Sequence, residues 1–318
     1  MRILFAFVGL LLSGVVFSQA PFPSKPVTMV VGFEPGGGTD TVARIVAKFM
    51  SDNIGQQVVV ENRAGAGGNI AVDYTIKSAP DGYTLVLANV GALTVNPHIM
   101  KLAYDPLRDL APVTMAVVFP NVIVTHPRVP AKTLAEFVKL AKEKPGTITF
   151  GSSGVGGAGH LAGALLEEVA GIQLVHVPYK GGGPAMRGLL GGEIDSYFAT
   201  PVAALPHIKS GKANAIAATG AKRSPELPDI PTVAESGYPG YEALNWYAYL
   251  VAAKTPREVV DRLNRELVKV LRMPQAVDLL QKQGVAPEPG TPEQLAAYMK
   301  REYDTWGKVV KKAGVKAE

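Results

Sequence analysis

From residue 27 onward, apolar positions recur with two periods. Runs of strand length stand at 27–33, 57–62 and 84–89. Between them, Val42, Ile45, Val46 and Phe49 recur at helical spacing within 39–55, and a second helical stretch over 69–79 stops at Pro80. Strand, helix, strand, helix, strand predicts a parallel α/β unit. After a long connection the pattern restarts. It predicts strands at 121–127, 147–153, 174–179, 194–200 and 213–220, with helices over 133–145, 160–171 and 184–192 and a helical turn at 201–211. The stretch 222–242, with Pro225, Pro228, Pro231 and Pro239, reads as a rigid surface connection. A strand at 244–253 and helices over 257–272 and 292–313 follow, with Thr255 and Pro256 as N-cap and first residue of the earlier helix. The expected architecture is α/β with two domains, each a mostly parallel sheet flanked by helices. Residues 21–121 plus 245–318 form domain 1 and residues 122–244 form domain 2.

The first twenty residues break this pattern. Arg2 precedes an almost wholly apolar stretch over 3–17, and small residues follow at Ser18 and Ala20. This is the pattern of a secretory signal peptide over 1–20, cut after Ser18 or Ala20, and it is short for a membrane span. The chain has no cysteine, which excludes disulfides, thiolate metal sites, thiol nucleophiles and an acylated N-terminal cysteine. A formal charge of +5 mildly favours anionic partners. No basic stripe with interleaved aromatics argues for nucleic acid, and the lysines of 311–316 read as a solvated tail.

Two glycine-rich segments carry the candidate chemistry. The first runs from Phe33 through Pro35, Gly36, Gly37 and Gly38 to Thr39 and Asp40; the second holds Ser152, Ser153, Gly154, Gly156 and His160. Each follows a predicted strand and opens a predicted helix, and each predicted domain supplies one. Ligands of open α/β sheets bind beyond the carboxyl ends of the strands. Glycine permits close approach of a ligand to the backbone, and the free N–H groups of a helix start favour an anion. The pair therefore reads as a clamp for a carboxylate. Residues 61–69 form a third glycine-rich strand-to-helix link.

Rival readings lack their defining residues. Residues 154–159 match G-x-G-x-x-G, but no acidic residue ends the following strand, which closes on Pro178 and Tyr179. The first segment lacks a P-loop lysine, and Val155 stands where a nucleophile elbow needs glycine. The five histidines, at 98, 126, 160, 176 and 207, have no metal-ligand spacing. His160 faces either a ligand or its own loop, and His176 reads as core. Tyr179 and Lys180 fall on the cleft side of a strand end. Asp40 reads more readily as a helix cap than as a base, and Asp195 as a turn residue. No catalytic or metal site assembles from spacing.

Taken in order, "PGGGTDTVAR", "VENRAGAGGN", "PDGYTL", "GSSGVGGAGHLAG", "VPYKGGGPA", "GGEID", "LPHIKSGK" and "AKTPREVVDRLN" resemble the tripartite tricarboxylate transporter substrate-binding proteins, the Bug family, over about residues 21–315. The resemblance implies a monomeric periplasmic solute-binding protein with a two-domain Venus-flytrap fold and no cofactor. It implies a carboxylate ligand held between two strand-to-helix loops, often with ordered water, and delivery to a permease of one large and one small membrane subunit. Carried over by position, 33–40 and 152–160 are the two loops, and residues 88–93, with Asn89, and 199–202, with Thr200, shape the rest of the pocket. Family members commonly carry an acidic or amide residue after the "GGEID" strand, where this chain has Ala199 and Thr200; a less polar acid follows from that departure. Dicarboxylates, amino acids, citrate-like acids and aromatic acids all stay open. Two alternatives remain: the ligand-binding part of an extracytoplasmic sensing system, and a secreted α/β hydrolase or transferase using Ser152, Ser153 or His160.

Overall fold

The computed structural model describes residues 22–225 and 227–313. The segment 1–20, expected to be a signal peptide, and the last residues of the lysine-rich tail lie outside them. Strands β1 (Val27–Val31), β2 (Val58–Asn62) and β3 (Thr84–Asn89) alternate with helices α1 (Gly38–Ile54) and α2 (Asn69–Lys77). A π-helical turn, Gly91–Val95, and a short α3 (Asn96–Ile99) lead to a long strand β4 (Leu110–Pro120). The chain then runs β5 (Val122–Thr125), α4 (Leu134–Glu143), β6 (Thr149–Ser152), α5 (Ala158–Ala170), β7 (Val175–Pro178), α6 (Gly182–Leu190), β8 (Ser196–Ala199), α7 (Pro201–Lys209) and β9 (Asn214–Ala218). It finishes with β10 (Leu244–Ala252), α8 (Arg257–Leu271), α9 (Pro274–Lys282), β11 (Ala286–Pro287) and α10 (Pro292–Ala313).

Two sheets result. One has the order β11-β4-β10-β3-β1-β2 and the other β7-β6-β8-β5-β9. Both are mixed where the alternation of strands and helices predicts mainly parallel ones. β1 pairs parallel with β2 and β3, and β6 with β7 and β8. β10 and β5 enter antiparallel to these groups. The reason lies in the crossovers: β4 runs into β5 through Asn121 alone, and β10 returns to the first sheet from the 222–242 connection.

Each sheet is covered on both faces. Val42, Val46 and Met50 of α1 and Leu263 and Leu267 of α8 pack on one face of the first sheet. Val72 of α2 and Leu295, Met299 and Trp306 of α10 pack on the other. Phe137 of α4 and Leu166 of α5 cover one face of the second sheet, and Ala185 and Leu189 of α6 with Leu205 of α7 cover its opposite face. β10 shows the two-residue period that makes this possible. Tyr247, Tyr249 and Val251 join the first of these clusters, and Trp246, Ala248 and Leu250 the second.

Two predicted helix starts shift. α1 takes Gly37 as its N-cap, two residues ahead of Thr39 and three ahead of Asp40. α8 begins at Arg257 with Pro256 as N-cap and no side-chain cap. Thr133 does cap α4, in a reciprocal pair with Glu136.

Candidate functional site

The parallel strands of both sheets end at one gap. Phe33 lies just past β1, Asn89 ends β3, Ser153 follows β6, Lys180 follows β7 and Thr200 follows β8. Phe33, Gly37, Gly38, Thr39, Asn89, Ser153, Gly182, Thr200, Asn245 and Tyr247 line one inner cavity. Three helices of at least nine residues start there: α1 with N-cap Gly37, α6 with N-cap Gly181 and α7 with N-cap Thr200. None of the ten lining residues carries a formal charge. The positive ends of three helix dipoles therefore set the potential, which favours an anion; the main-chain donors come chiefly from α1 and α6, because α7 opens on Pro201 and its Ala203 N–H is taken by Thr200. The hydroxyl of Tyr247 is hydrogen-bonded to Thr39; burial raises its pKa and that bond opposes the shift, so the group is neutral at ordinary pH.

The gap is narrow because the backbones meet. Glu34 N–H donates to Lys180 O at 3.1 Å, from the first lobe to the second. A Cβ on Gly38 would lie 2.9 Å from both Thr200 Oγ1 and Tyr247 Oη, and one on Gly67 2.6 Å from Val155 O. Side chains are excluded at these points, which is why the closest approaches fall on glycine.

An outer compartment adjoins the cavity through Phe33 and Ser153, which line both. Its other walls include Gly65, Ala66 and Gly67 of the third glycine-rich link, Met100, Gly154, Val155, Tyr179 and Lys180. Lys180 is the one cationic residue on this lining. Burial, then the hydrogen bond and nearby charge of Glu193, raise the pKa of Tyr179. A roomier hollow involving Phe119, Arg223 and Val285 lies elsewhere, and no helix start opens onto it.

Several residues expected to face the ligand support the loops from behind. Asp40 is buried and accepts from Gly36 N–H at 3.0 Å, from Asn62 Nδ2 at 2.9 Å and from Arg44 Nε at 3.0 Å. Burial alone would raise its pKa; the bonds from Arg44, Gly36 and Asn62 outweigh it and hold the carboxyl below its ordinary value. Asp40 thus ties the first loop to α1 and β2 and lines neither compartment. Ser152 is wholly buried, its Oγ 2.7 Å from His176 Nε2 and 3.0 Å from Gly154 O. His160 accepts from Gly156 N–H through Nδ1 at 3.1 Å and stacks on His176 with ring centroids 4.0 Å apart. Burial lowers the His160 pKa to about 4; burial and then the neighbouring His160 lower that of His176 to about 3. The second loop therefore rests on a neutral imidazole stack. Pro35 and Gly36 are exposed at the rim, and Gly156 packs against Asn96. Asp195 accepts from Thr149 N–H of β6 and from Arg128 beyond β5, so it ties neighbouring elements together and lines neither compartment.

Of the expected residues, Phe33, Gly37, Gly38, Thr39, Asn89, Ser153 and Thr200 line the inner cavity, and Gly154 and Tyr179 the outer compartment. Sequence reasoning missed Gly182, Asn245 and Tyr247. The "KGGGP" start of α6 carried the signal for Gly182. Asn245 and Tyr247 share one face of β10, and Tyr247 pairs with Asn89 at the carboxyl end of β3.

Two helix-flanked mixed sheets, joined by crossovers and closing on a cavity ringed by helix starts, define a two-lobed solute-binding protein. Residues 42–315 match the family described as tripartite tricarboxylate transporter family receptor, and the chain belongs to that family. Protein BugT of Bordetella pertussis is 38% identical over 301 residues, covering 94% of this chain and 92% of BugT. A solved Rhodopseudomonas palustris protein with adipate is 34% identical with a TM-score of 0.90, covering 93% of this chain and 99% of that one. MatC of the same organism, with bound malate, is 32% identical with a TM-score of 0.87, covering 91% of this chain and all of that one (100%). The periplasmic-binding-protein fold is thus shared along nearly the whole described chain.

Proposed function

We propose that this chain captures a small organic acid in the inner cavity, in the periplasm, and delivers it unchanged to the membrane permease subunits of a tripartite tricarboxylate-type transporter. One observation carries the reading: the starts of α1, α6 and α7 converge on a cavity whose lining has no charged side chain. Such a site holds a carboxylate through main-chain N–H groups and offers no histidine or carboxylate to activate a hydroxyl. Of the groups a hydrolase would use, Ser152 and His160 are committed to the second loop, and Ser153, which lines the cavity, has no histidine or carboxylate beside it on that lining. Adipate and malate in related proteins support the ligand class. The lobes, divided near residues 121 and 244, close on the ligand as units, and the protein acts as a monomer.

The test is a titration of the chain from residue 21 onward against C4 to C6 dicarboxylates, malate, aspartate and benzoate. An acid at 100 times its Kd adds about 2.7 kcal/mol of stability and moves Tm by several degrees. The acid must be recovered chemically unchanged. A panel in which no acid raises Tm, or in which the bound acid is converted, refutes the proposal.

A further inference from the structure

Where the chain crosses between the lobes, three residues are tied by four hydrogen bonds, and the lobes hinge on this knot. Thr219 N–H donates to Asn121 O at 2.9 Å, and Asn121 N–H donates to Thr219 Oγ1 at 2.8 Å. Ala243 N–H donates to Thr219 O at 2.8 Å, and Thr219 Oγ1 donates to Ala243 O at 2.7 Å. Both crossovers between the sheets, at 121 and at 219–243, are thereby bound together. Asn245 lies two residues beyond Ala243 and pairs with Phe119, two residues before Asn121.

Asn245 also lines the inner cavity. Its Nδ2 lies 3.5 Å from Asn121 Oδ1, and both side chains are buried, at 5% and 1% exposure. An amide has one donor end and one acceptor end. The contact between the two amides uses one end of each. Among the described residues, the other ends, Asn245 Oδ1 and Asn121 Nδ2, have no hydrogen-bond partner. A buried amide with an unsatisfied end gains from an added partner, and the cavity is where one can arrive for Asn245.

We infer that Asn245 is a positioning residue through which an occupied cavity holds the hinge closed. A hydrogen-bond donor of the occupant, or of water carried with it, takes the unpaired acceptor of Asn245. That fixes the amide against Asn121 and so against the crossover on which the lobes turn. The helix starts supply the attraction for the acid; the Asn245–Asn121 pair converts occupancy into closure. This rests on the proposed function of the same cavity.

The experiment uses the full mature chain. The protein has no cysteine, so Val59→Cys and Val175→Cys accept a fluorescent donor and acceptor. These valines are 42% and 40% exposed on strands β2 and β7, one in each lobe. The tightest acid of the panel above is titrated into this background and into Asn245→Leu, Asn121→Leu and the double variant. Leucine keeps the side-chain volume and removes the amide. Asn245→Leu loses affinity by about 5- to 150-fold, the ordinary span of coupling between linked sites, and stays more open at saturation. Asn121→Leu, although its side chain does not line the cavity, shows a comparable loss. The double variant loses no more than the worse single one. Wild-type closure and affinity in Asn121→Leu, or a double loss equal to the product of the singles, overturns the inference while leaving the acid site intact. A wild-type chain that binds no acid of the panel overturns the site itself and the inference with it. Ligand-free melting identifies any variant that fails to fold; the Asn→Ser pair then replaces the leucines and is judged by the same outcomes.

Discussion

Gly38→Ala separates binding from folding with one methyl group. A Cβ at this position meets Thr200 Oγ1 at 2.9 Å, Tyr247 Oη at 2.9 Å and Thr200 Cβ at 3.2 Å. The Tyr247 contact is the far end of a side chain in the same lobe and yields by a small shift. Thr200 belongs to the other lobe, where it caps α7, and the two lobes escape the clash by parting. The overpacking cost, about 1–3 kcal/mol, therefore falls on the closed, liganded state. The open state feels the opposite effect. Gly38 is the first residue of α1 and its φ is not positive. Alanine there narrows the unfolded ensemble and adds about 0.4–1 kcal/mol of stability. Calorimetry should show the acid's Kd raised about 5- to 150-fold, while the ligand-free Tm holds or rises. Affinity within twofold of wild type, or a ligand-free Tm that drops, refutes the assignment of Gly38 to the closing surface.

Three further outcomes test the support around the cavity. Asp40→Ala removes the acceptor shared by Arg44, Asn62 and Gly36; stability falls by about 1.5–3 kcal/mol and acid affinity falls with it, although Asp40 lines no compartment. Burial holds His160 near 4 against an ordinary 6.5, so the native state binds fewer protons than the unfolded chain between those values. Stability is then full above about pH 6.5 and is lost as pH falls toward 4, by about 3 kcal/mol for this group; His160→Gln should flatten the slope of Tm against pH, and an unchanged slope sinks the reading. Gly163→Ala puts a carbon 2.4 Å from Phe150 Cε2, and Phe150 stacks on His176 with ring centroids 4.8 Å apart, beneath the second loop; a loss of about 1–3 kcal/mol together with a raised Kd is expected, and an unchanged Kd counts against the loop's resting on that stack.

The glycine segments were legible because each sits between a strand and a helix with clear periodicity, and a strand end followed by a helix start has one chemical character wherever it folds. β4 was not legible. Its "LAPVTMAVVFP" carries prolines at both ends and no alternation, because both faces of that strand are buried or covered. Asn245 and Tyr247 escaped notice for a different reason. Which face of a strand meets a ligand depends on its partners, and β10 reaches the cavity only because it lies antiparallel beside β3. Asp40 and His160 were placed near the ligand by proximity in sequence, but each first satisfies loop N–H groups, and one short side chain cannot do both. α9 drew no expectation between the helices predicted over 257–272 and 292–313, its pattern of nine residues being too short to assert itself.

A clamp made of main-chain N–H groups makes one demand on sequence at its surface, that residues such as Gly37 and Gly38 stay small where the lobes meet; any residue except proline carries the donor itself. Its attraction for a carboxylate is inherited with the three helix starts as a unit. On the proposed function, discrimination among acids would fall to the side chains that wall the outer compartment, Met100, Val155, Tyr179 and Lys180 among them. A lineage of such proteins can therefore change diet by altering these walls one at a time, each step leaving the grip on the acid group intact.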